Sequence, residues 1–325
     1  MHAWLCEQPT GVDALRWQEL PTPDPGPGQV RVAIKAASLN FPDLLIVQGK
    51  YQIKPEPPFV PGSEYAGVVD AVGPEVRGLR PGMRVMAIGS SGGFGTHAVV
   101  DAARAQPLPE AFPFEDGAAF AFTYGTSYHA LIDRAALQAG ETVFVLGAAG
   151  GVGSAALQIA KAAGARVIAG VSSQAKCKLC LDLGADAAIN YASGNLREAL
   201  KQHTGGKGPD VIYDPVGGDL AEPSFRSIAW RGRYLVVGFA QGGIPALPLN
   251  LMLLKGASLV GVFLGEFVRR EPAASARQME ALAQWYARGL VKPVIDRVLP
   301  MAQLHEAYGR MASRQALGKI VLVNP

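Results

Sequence analysis

The chain has 325 residues, enough for two domains of ordinary size, and is 49% hydrophobic and 18% charged, a composition that excludes an intrinsically disordered protein. Its formal net charge of +3, with no stretch that concentrates lysine and arginine, lacks the footprint of a nucleic-acid binder, so no nucleic-acid partner is expected. Three cysteines cannot build a disulfide framework, and Met1–Glu7 carries neither a secretory nor a transit pattern, so a reducing, cytoplasmic location is expected.

The first third reads as β-rich. Pro21–Gly28 is extended or turned, because proline fixes φ and removes a donor. Val30–Ala36 alternates apolar and polar residues as a half-buried strand does, and Ala66–Val72, Met83–Ile88 and His97–Val100 are further short strands. Such strands with close turns predict a small barrel or folded sheet. Glu115–Leu137 reads as helical apart from a break at Gly125. From Thr142 onward strands (Thr142–Leu146, Arg166–Val171, Ala187–Ile189, Val211–Tyr213, Tyr234–Val237, Leu259–Phe263) alternate with helices (Gly153–Ala163, Gln174–Leu183, Leu196–Gln202, Asp219–Ala229). Wholly apolar strands separated by helices predict a parallel sheet covered on both faces, hence an α/β fold. Ala273–Arg288 and Ala302–Ser313 read as helices, and Lys319–Val323 as a strand returning to the first domain.

Two uncharged runs, Thr142–Ala160 and Tyr234–Leu254, are long enough to cross a bilayer. The first is dominated by Gly, Ala and Ser; the second contains Pro245, Pro248, Gln241 and Asn250, which interrupt a helix and are costly in lipid. Buried strands joined by turns account for both, and no membrane partner is expected.

The sharpest signal follows the strand Thr142–Leu146: Ala148, Ala149, Gly150, Gly151, Val152 and Gly153 lead straight into a helix. The spacing is A-x-G-x-x-G. Gly150 would let the backbone approach a pyrophosphate, Gly153 would let helix pack on strand, and amides at the helix start would face the phosphates. Where an NAD site carries Asp or Glu at the end of the second strand, this chain has Ser172 and Ser173, then Lys176. No carboxylate repels a 2′-phosphate, while a hydroxyl and an ammonium can bind it, so NADPH is the expected cofactor.

These residues resemble the medium-chain dehydrogenase/reductase superfamily, and within it the zinc-free quinone oxidoreductase branch. The similarity extends over Ala37–Leu45 with Gln48–Tyr51, Pro58–Glu64, Gly82–Val85, Thr123–Ala130, the glycine turn, Leu183–Tyr191, Tyr213–Gly218 and Gly318–Val321. It implies a GroES-like catalytic domain over 1–118, completed by 265–325, beside a Rossmann domain over 119–264, with the active site in the cleft between them. It also implies NADPH-dependent hydride transfer and a homodimer. Tyr51 and Asn40 match family residues at the substrate, Asp43 either orients the loop, takes part in proton delivery or caps a helix, and Thr126 matches a threonine beside the nicotinamide. Gly238, Phe239 and Phe263 lie on loops that reach nicotinamide in relatives, and Tyr191 and Lys319 match positions near the adenosine phosphate.

No metal is expected. Where zinc-dependent relatives have Cys and Gly-His-Glu, this chain has the Ser38–Asn40 stretch and Gly62-Ser63-Glu64, and Ser and Asn are poor zinc ligands beside Cys and His. Cys177 and Cys180 read as half-buried helix residues without a second pair. Gly89–Gly93 satisfies G-x-S-x-G but precedes a strand, so a glycine-rich loop is expected instead of a nucleophile elbow. His129 reads as structural. Three functions remain open: a reductase of quinones or enones, a reductase of enoyl thioesters such as enoyl-CoA, and a low-turnover NADPH-binding structural or RNA-associated protein.

Overall fold

The computed structural model describes residues 1–325. It divides into two compact units, Met1–Phe122 with Pro293–Pro325, and Thr123–Lys292.

The first unit is built on a seven-stranded sheet. Along its main path the order is Ile295–Pro300, Lys319–Val323, Gln29–Ser38, Glu64–Val72, Arg84–Ile88 and Ala105–Pro107, and His97–Asp101 pairs with the first part of Gln29–Ser38. Every pair is antiparallel except Ile295–Pro300 with Lys319–Val323. Gln29–Ser38 alternates in burial over its first residues and is fully buried at Ala36, Ala37 and Ser38, where Lys319–Val323 flanks it. Val32, Ile34, Tyr65, Val69, Phe94 and Leu322 are among the core residues. The strand expected at Lys319–Val323 therefore joins the first sheet. The hairpin His2–Leu5 with Arg16–Glu19 has no counterpart in the sequence pattern, and the helix Phe41–Val47 is marked there only by Asp43 as a helix-start cap, each element being too short to show a period. Gly89–Gly93 is loop between Arg84–Ile88 and His97–Asp101.

The second unit carries a six-stranded, wholly parallel sheet in the order Ala187–Asn190, Arg166–Val171, Thr142–Leu146, Val211–Asp214, Arg233–Val236, Ser258–Gly261. The order reverses direction between Thr142–Leu146 and Val211–Asp214, the topological switch point where open α/β sheets bind ligands beyond their carboxyl ends. No helix is long and apolar enough to cross a membrane.

Two expectations are corrected here. Gly125 does not break a helix: Ala121–Tyr128 runs through it, and its carbonyl accepts a hydrogen bond from Gln278 Nε2 at 2.8 Å. Residues 265–292, expected with the first domain, belong to the second unit. They are held there by that Gln278 bond, by Trp285 against Tyr128, and by Lys292. The Lys292 carbonyl accepts from Tyr124 Oη at 2.6 Å and Gln158 Nε2 at 3.0 Å, and its N–H donates to Gln158 Oε1 at 2.7 Å.

Replacing Gln158 by leucine keeps the bulk but removes both bonds to Lys292 and strands its amide. Gln158→Leu is expected to lower the unfolding free energy by about 1–3 kcal/mol in urea titration.

Candidate active-site residues

On the second unit the strand Thr142–Leu146 ends at Gly147, whose φ of +61° favours glycine, and the Gly150 N–H donates to the Gly147 carbonyl at 2.9 Å to close the turn. The helix Gly151–Ala162 begins immediately. Gly153 is dictated by space: a Cβ there would lie 2.2 Å from the Gly147 oxygen and 2.8 Å from Ala148 Cα. At Gly150 a Cβ would sit 3.3 Å from the same oxygen. Ala148 and Ala149 are buried beneath the turn, and the Ala148 N–H donates to the Gly170 carbonyl at 3.2 Å. The amides of Gly151, Val152 and Gly153 have no carbonyl one turn earlier to bond, which leaves them as donors for an anion.

The other expected residues on this unit lie where the parallel strands end. Ser172 and Ser173 follow Val171; Ser173 caps the helix Gln174–Asp182 by accepting the Lys176 N–H at 3.3 Å. Lys176 stands on the first turn of that helix. The Tyr191 N–H donates to the Val171 carbonyl at 2.9 Å, which sets Tyr191 beside the Ser172 loop. Gly238 and Phe239 follow the strand Arg233–Val236, the Gly238 N–H donating to the Asp214 carbonyl at 3.3 Å. Phe263, 50% exposed, precedes the helix Leu264–Arg270. Thr126 is buried on Ala121–Tyr128. Its neighbour Ser127 donates to the Val152 carbonyl at 2.9 Å and shares a 2.9 Å bond with Tyr213 Oη, pinning that helix to the glycine turn.

Asp214, which sequence reasoning did not single out, shapes the loop beside the expected cofactor residues. Its buried carboxylate accepts the N–H groups of Val216 and Gly217 at 2.7 and 2.8 Å and the Tyr234 hydroxyl, fixing the loop after the fourth strand of the alternation. The run Tyr213–Gly218 carried the signal, an acidic residue before a Pro-Val-Gly-Gly turn. Burial raises the Asp214 carboxyl above its ordinary pKa. Cys177 and Cys180 are buried with raised thiol pKa values, Cys180 pushed up to about 12, which makes them packing residues. His129 stacks on Phe267 with ring centroids 4.1 Å apart.

On the first unit Asn40 caps the helix Phe41–Val47, Asp43 stands in its first turn, and Tyr51 follows it. Asp43 Oδ2 accepts the Asn40 N–H at 2.8 Å, so the carboxylate closes the helix start. Its Oδ1 and the nearby Ser63 hydroxyl are buried without a hydrogen bond of ordinary length. Burial raises the Asp43 pKa to about 6, against the opposing pull of the Asn40 N–H, Ser63 and Lys319. Tyr51 is half-buried on the bend after the helix, and burial, reinforced by Asp43, keeps its phenol protonated above the usual range.

Lys319 is corrected. It lies in the first unit, 5% exposed, and its ammonium is taken up by the Leu39 carbonyl at 2.9 Å, Asn40 Oδ1 at 2.6 Å and Glu64 Oε2 at 3.2 Å. An ammonium with three acceptors has no proton left for an adenosine phosphate. Glu64 also accepts from Ser38 Oγ at 2.8 Å, Asn40 Nδ2 at 3.0 Å and the Phe122 N–H at 2.7 Å. A zinc ion does not fit this donor set: nowhere do three His, Cys, Asp or Glu side chains come together, and the Glu64 carboxylate already holds a lysine.

The Asp43 shift has a sign. A carboxyl whose pKa rises on folding contributes stability that is complete below about pH 4 and lost as the pH climbs through 6. Asp43→Asn keeps an acceptor for the Asn40 N–H but cannot ionise. Urea titrations at pH 4.5 and pH 8 should therefore show wild type losing on the order of 2 kcal/mol more than the variant between the two.

Residues 26–110 match the family model described as alcohol dehydrogenase GroES-like domain, and residues 151–284 the one described as zinc-binding dehydrogenase. Quinone oxidoreductase-like protein 2 of Rattus norvegicus is 35% identical over 98% of this chain and 96% of its own. The solved quinone oxidoreductase of Thermus thermophilus, described also as its complex with NADPH, superposes with a TM-score of 0.86 at 33% identity over 100% of both chains. The CurK enoyl reductase superposes with a TM-score of 0.89 at 26% identity, covering 100% of this chain and 99% of that one. A β-rich unit completed by its distant carboxyl-terminal strand, a six-stranded parallel sheet opening on A-x-G-x-x-G, and likeness across the full length place this chain in the quinone oxidoreductase-like part of the medium-chain dehydrogenase/reductase superfamily.

Proposed function

We propose that the protein is an NADPH-dependent reductase that delivers hydride to a quinone or another α,β-unsaturated carbonyl compound without zinc, working in the cytoplasm. The observation that carries this reading is the end of the strand Arg166–Val171. It presents two hydroxyls, Ser172 and Ser173, and the Lys176 ammonium where a 2′-hydroxyl site needs a carboxylate. Beside it, Gly150 and Gly153 leave room for a pyrophosphate over the amides of residues 151–153. The Thermus relative described with NADPH supports the same choice.

Bound NADPH supplies a hydride. The chain's own residues hold the cofactor and stabilise what the hydride creates. Thr126, Gly238, Phe239 and Phe263 line the nicotinamide end, and Ser172, Ser173, Lys176 and Tyr191 the adenosine end. Hydride addition to a conjugated carbonyl puts negative charge on its oxygen, and a positioned donor lowers that cost. Asn40 has one amide hydrogen uncommitted within the chain, and Tyr51 is a phenol held protonated at neutral pH. Asp43, with its pKa near 6, stands next to them as a buried proton acceptor at the pH of the cytoplasm. The Lys319–Glu64 donor set leaves no place for a Lewis acid to activate an alcohol, which favours already electrophilic substrates.

The CurK likeness favours a second reading, reduction of an enoyl thioester by the same core. NADPH oxidation with 1,2-naphthoquinone and with crotonyl-CoA separates the two. Turnover of the quinone is expected, turnover of the thioester alone selects the second reading, and silence with both, despite cofactor binding, leaves a structural NADPH-binding protein. Lys176→Ala should shrink the NADPH-over-NADH preference by roughly 10- to 150-fold, the value of one charged hydrogen bond; an unchanged ratio removes Lys176 from the phosphate site.

The protein works as a homodimer in this reading. The outermost strand of the parallel sheet, Ser258–Gly261, has an unpaired edge, and Leu259 on it is 42% exposed, near-continuous in sequence with Leu253 at 80% and Leu254 at 68%. Leu259→Lys is expected to convert a dimer to a monomer in sedimentation-velocity runs.

A further inference from the structure

We propose that Lys319 is a positioning residue for Asn40: its buried ammonium fixes which way the Asn40 carboxamide faces and strengthens the one amide hydrogen that carboxamide has left to give. The proposal deepens the reading of Asn40 as a donor to the substrate oxygen, and rests on it.

The geometry is closed on every side but one. Asn40 Oδ1 accepts from Lys319 Nζ at 2.6 Å, and Asn40 Nδ2 donates to Glu64 Oε2 at 3.0 Å. A flipped amide would turn its NH2 toward the ammonium and its oxygen toward the carboxylate, exchanging two charge-assisted bonds for two repulsions. The side chain therefore has a single orientation, with its second Nδ2 hydrogen the only polar atom uncommitted. The backbone of Asn40 is fixed as well, through its N–H to Asp43 Oδ2 at 2.8 Å.

Lys319 does more than hold. A positive charge on the amide oxygen draws electron density from the amide nitrogen, so the remaining N–H becomes a stronger donor, as hydrogen bonds in a chain polarise one another. The Leu39 carbonyl and Glu64 Oε2 occupy the other two ammonium protons at 2.9 and 3.2 Å. Glu64 is fully buried and anchored independently by Ser38 Oγ at 2.8 Å and the Phe122 N–H at 2.7 Å, so the pair is rigid. The acceptors surround a point charge, which a planar guanidinium cannot reproduce. Asn40 also reaches these partners only because Lys319 opens a strand paired next to it.

The test is a double-mutant cycle in the full chain with NADPH and 1,2-naphthoquinone. Lys319→Met and Asn40→Ala should each lower kcat by about 10-fold or more with KM changed far less, and the double variant should be no slower than Asn40→Ala alone. Multiplying losses would overturn the proposal, as would restoration of kcat by Lys319→Arg. Because Lys319→Met strands a buried carboxylate, Glu64→Gln/Lys319→Met, which removes both charges, serves as the companion variant. A second measurement does not depend on turnover. In protein carrying isotope-labelled asparagine, the two Asn40 side-chain amide protons should give separate, sharp resonances, and these should differ between Glu64→Gln and Glu64→Gln/Lys319→Met, a pair in which only Lys319 changes. Unchanged resonances overturn the proposal. If the wild-type protein oxidises NADPH with neither electrophile, the reductase reading fails, while the resonances still decide whether Lys319 orients Asn40.

Discussion

A full positive charge lies inside the first unit, and much of that interior follows from having to surround it. An ion taken out of water costs several kcal/mol unless oxygens replace its shell. Here the ion, Lys319 at the start of the last strand, draws its replacements from two places distant from it in sequence: Leu39 and Asn40 just before a helix, and Glu64 at the start of a central strand. Their meeting requires the observed registers, Ser38 opposite Glu64 and Val321 opposite Ser38. A slip of one residue would turn the charged side chains to the other face of the sheet. The ion pair thus acts as a lock on strand alignment as well as a support for Asn40.

The second unit depends on the opposite device, an absence of side chains. Helix Gly151–Ala162 approaches its strand so closely that the Gly147 carbonyl occupies the space a Cβ at 153 would need. Ser127 then ties the neighbouring helix to the Val152 carbonyl, and Asp214 ties the loop across the switch point. Three small constraints, one steric and two by hydrogen bond, bring the residues expected at the nicotinamide and at the phosphates to one end of one sheet.

The parallel sheet was legible because its strands are mostly apolar and its turns rich in glycine, signals that are local in sequence. So were the glycine turn and the Ser172–Lys176 segment. Of the helix Phe41–Val47 only the Asp43 cap was, since seven residues that follow a strand and carry a proline show no period. Gly125 misled because its tolerance in a helix comes from Gln278, far along the chain. The role of Lys319 was hidden for the same reason: its acceptors lie as many as 280 positions away in sequence. The placement of 265–292 depended on Gln158 and Lys292 meeting, which no spacing announces.

The strand Lys319–Val323 has a bearing on biogenesis. During synthesis the second unit, Thr123–Lys292, is contiguous and can assemble once its own residues have left the ribosome. The amino-terminal unit emerges earlier, yet lacks the neighbour of Ala36–Ser38 and the counterion of Glu64 until Lys319–Val323 has been made. The earlier-made of the two units is therefore the later to be completed, and its half-formed sheet must wait, with one edge and one carboxylate bare, while the other unit folds.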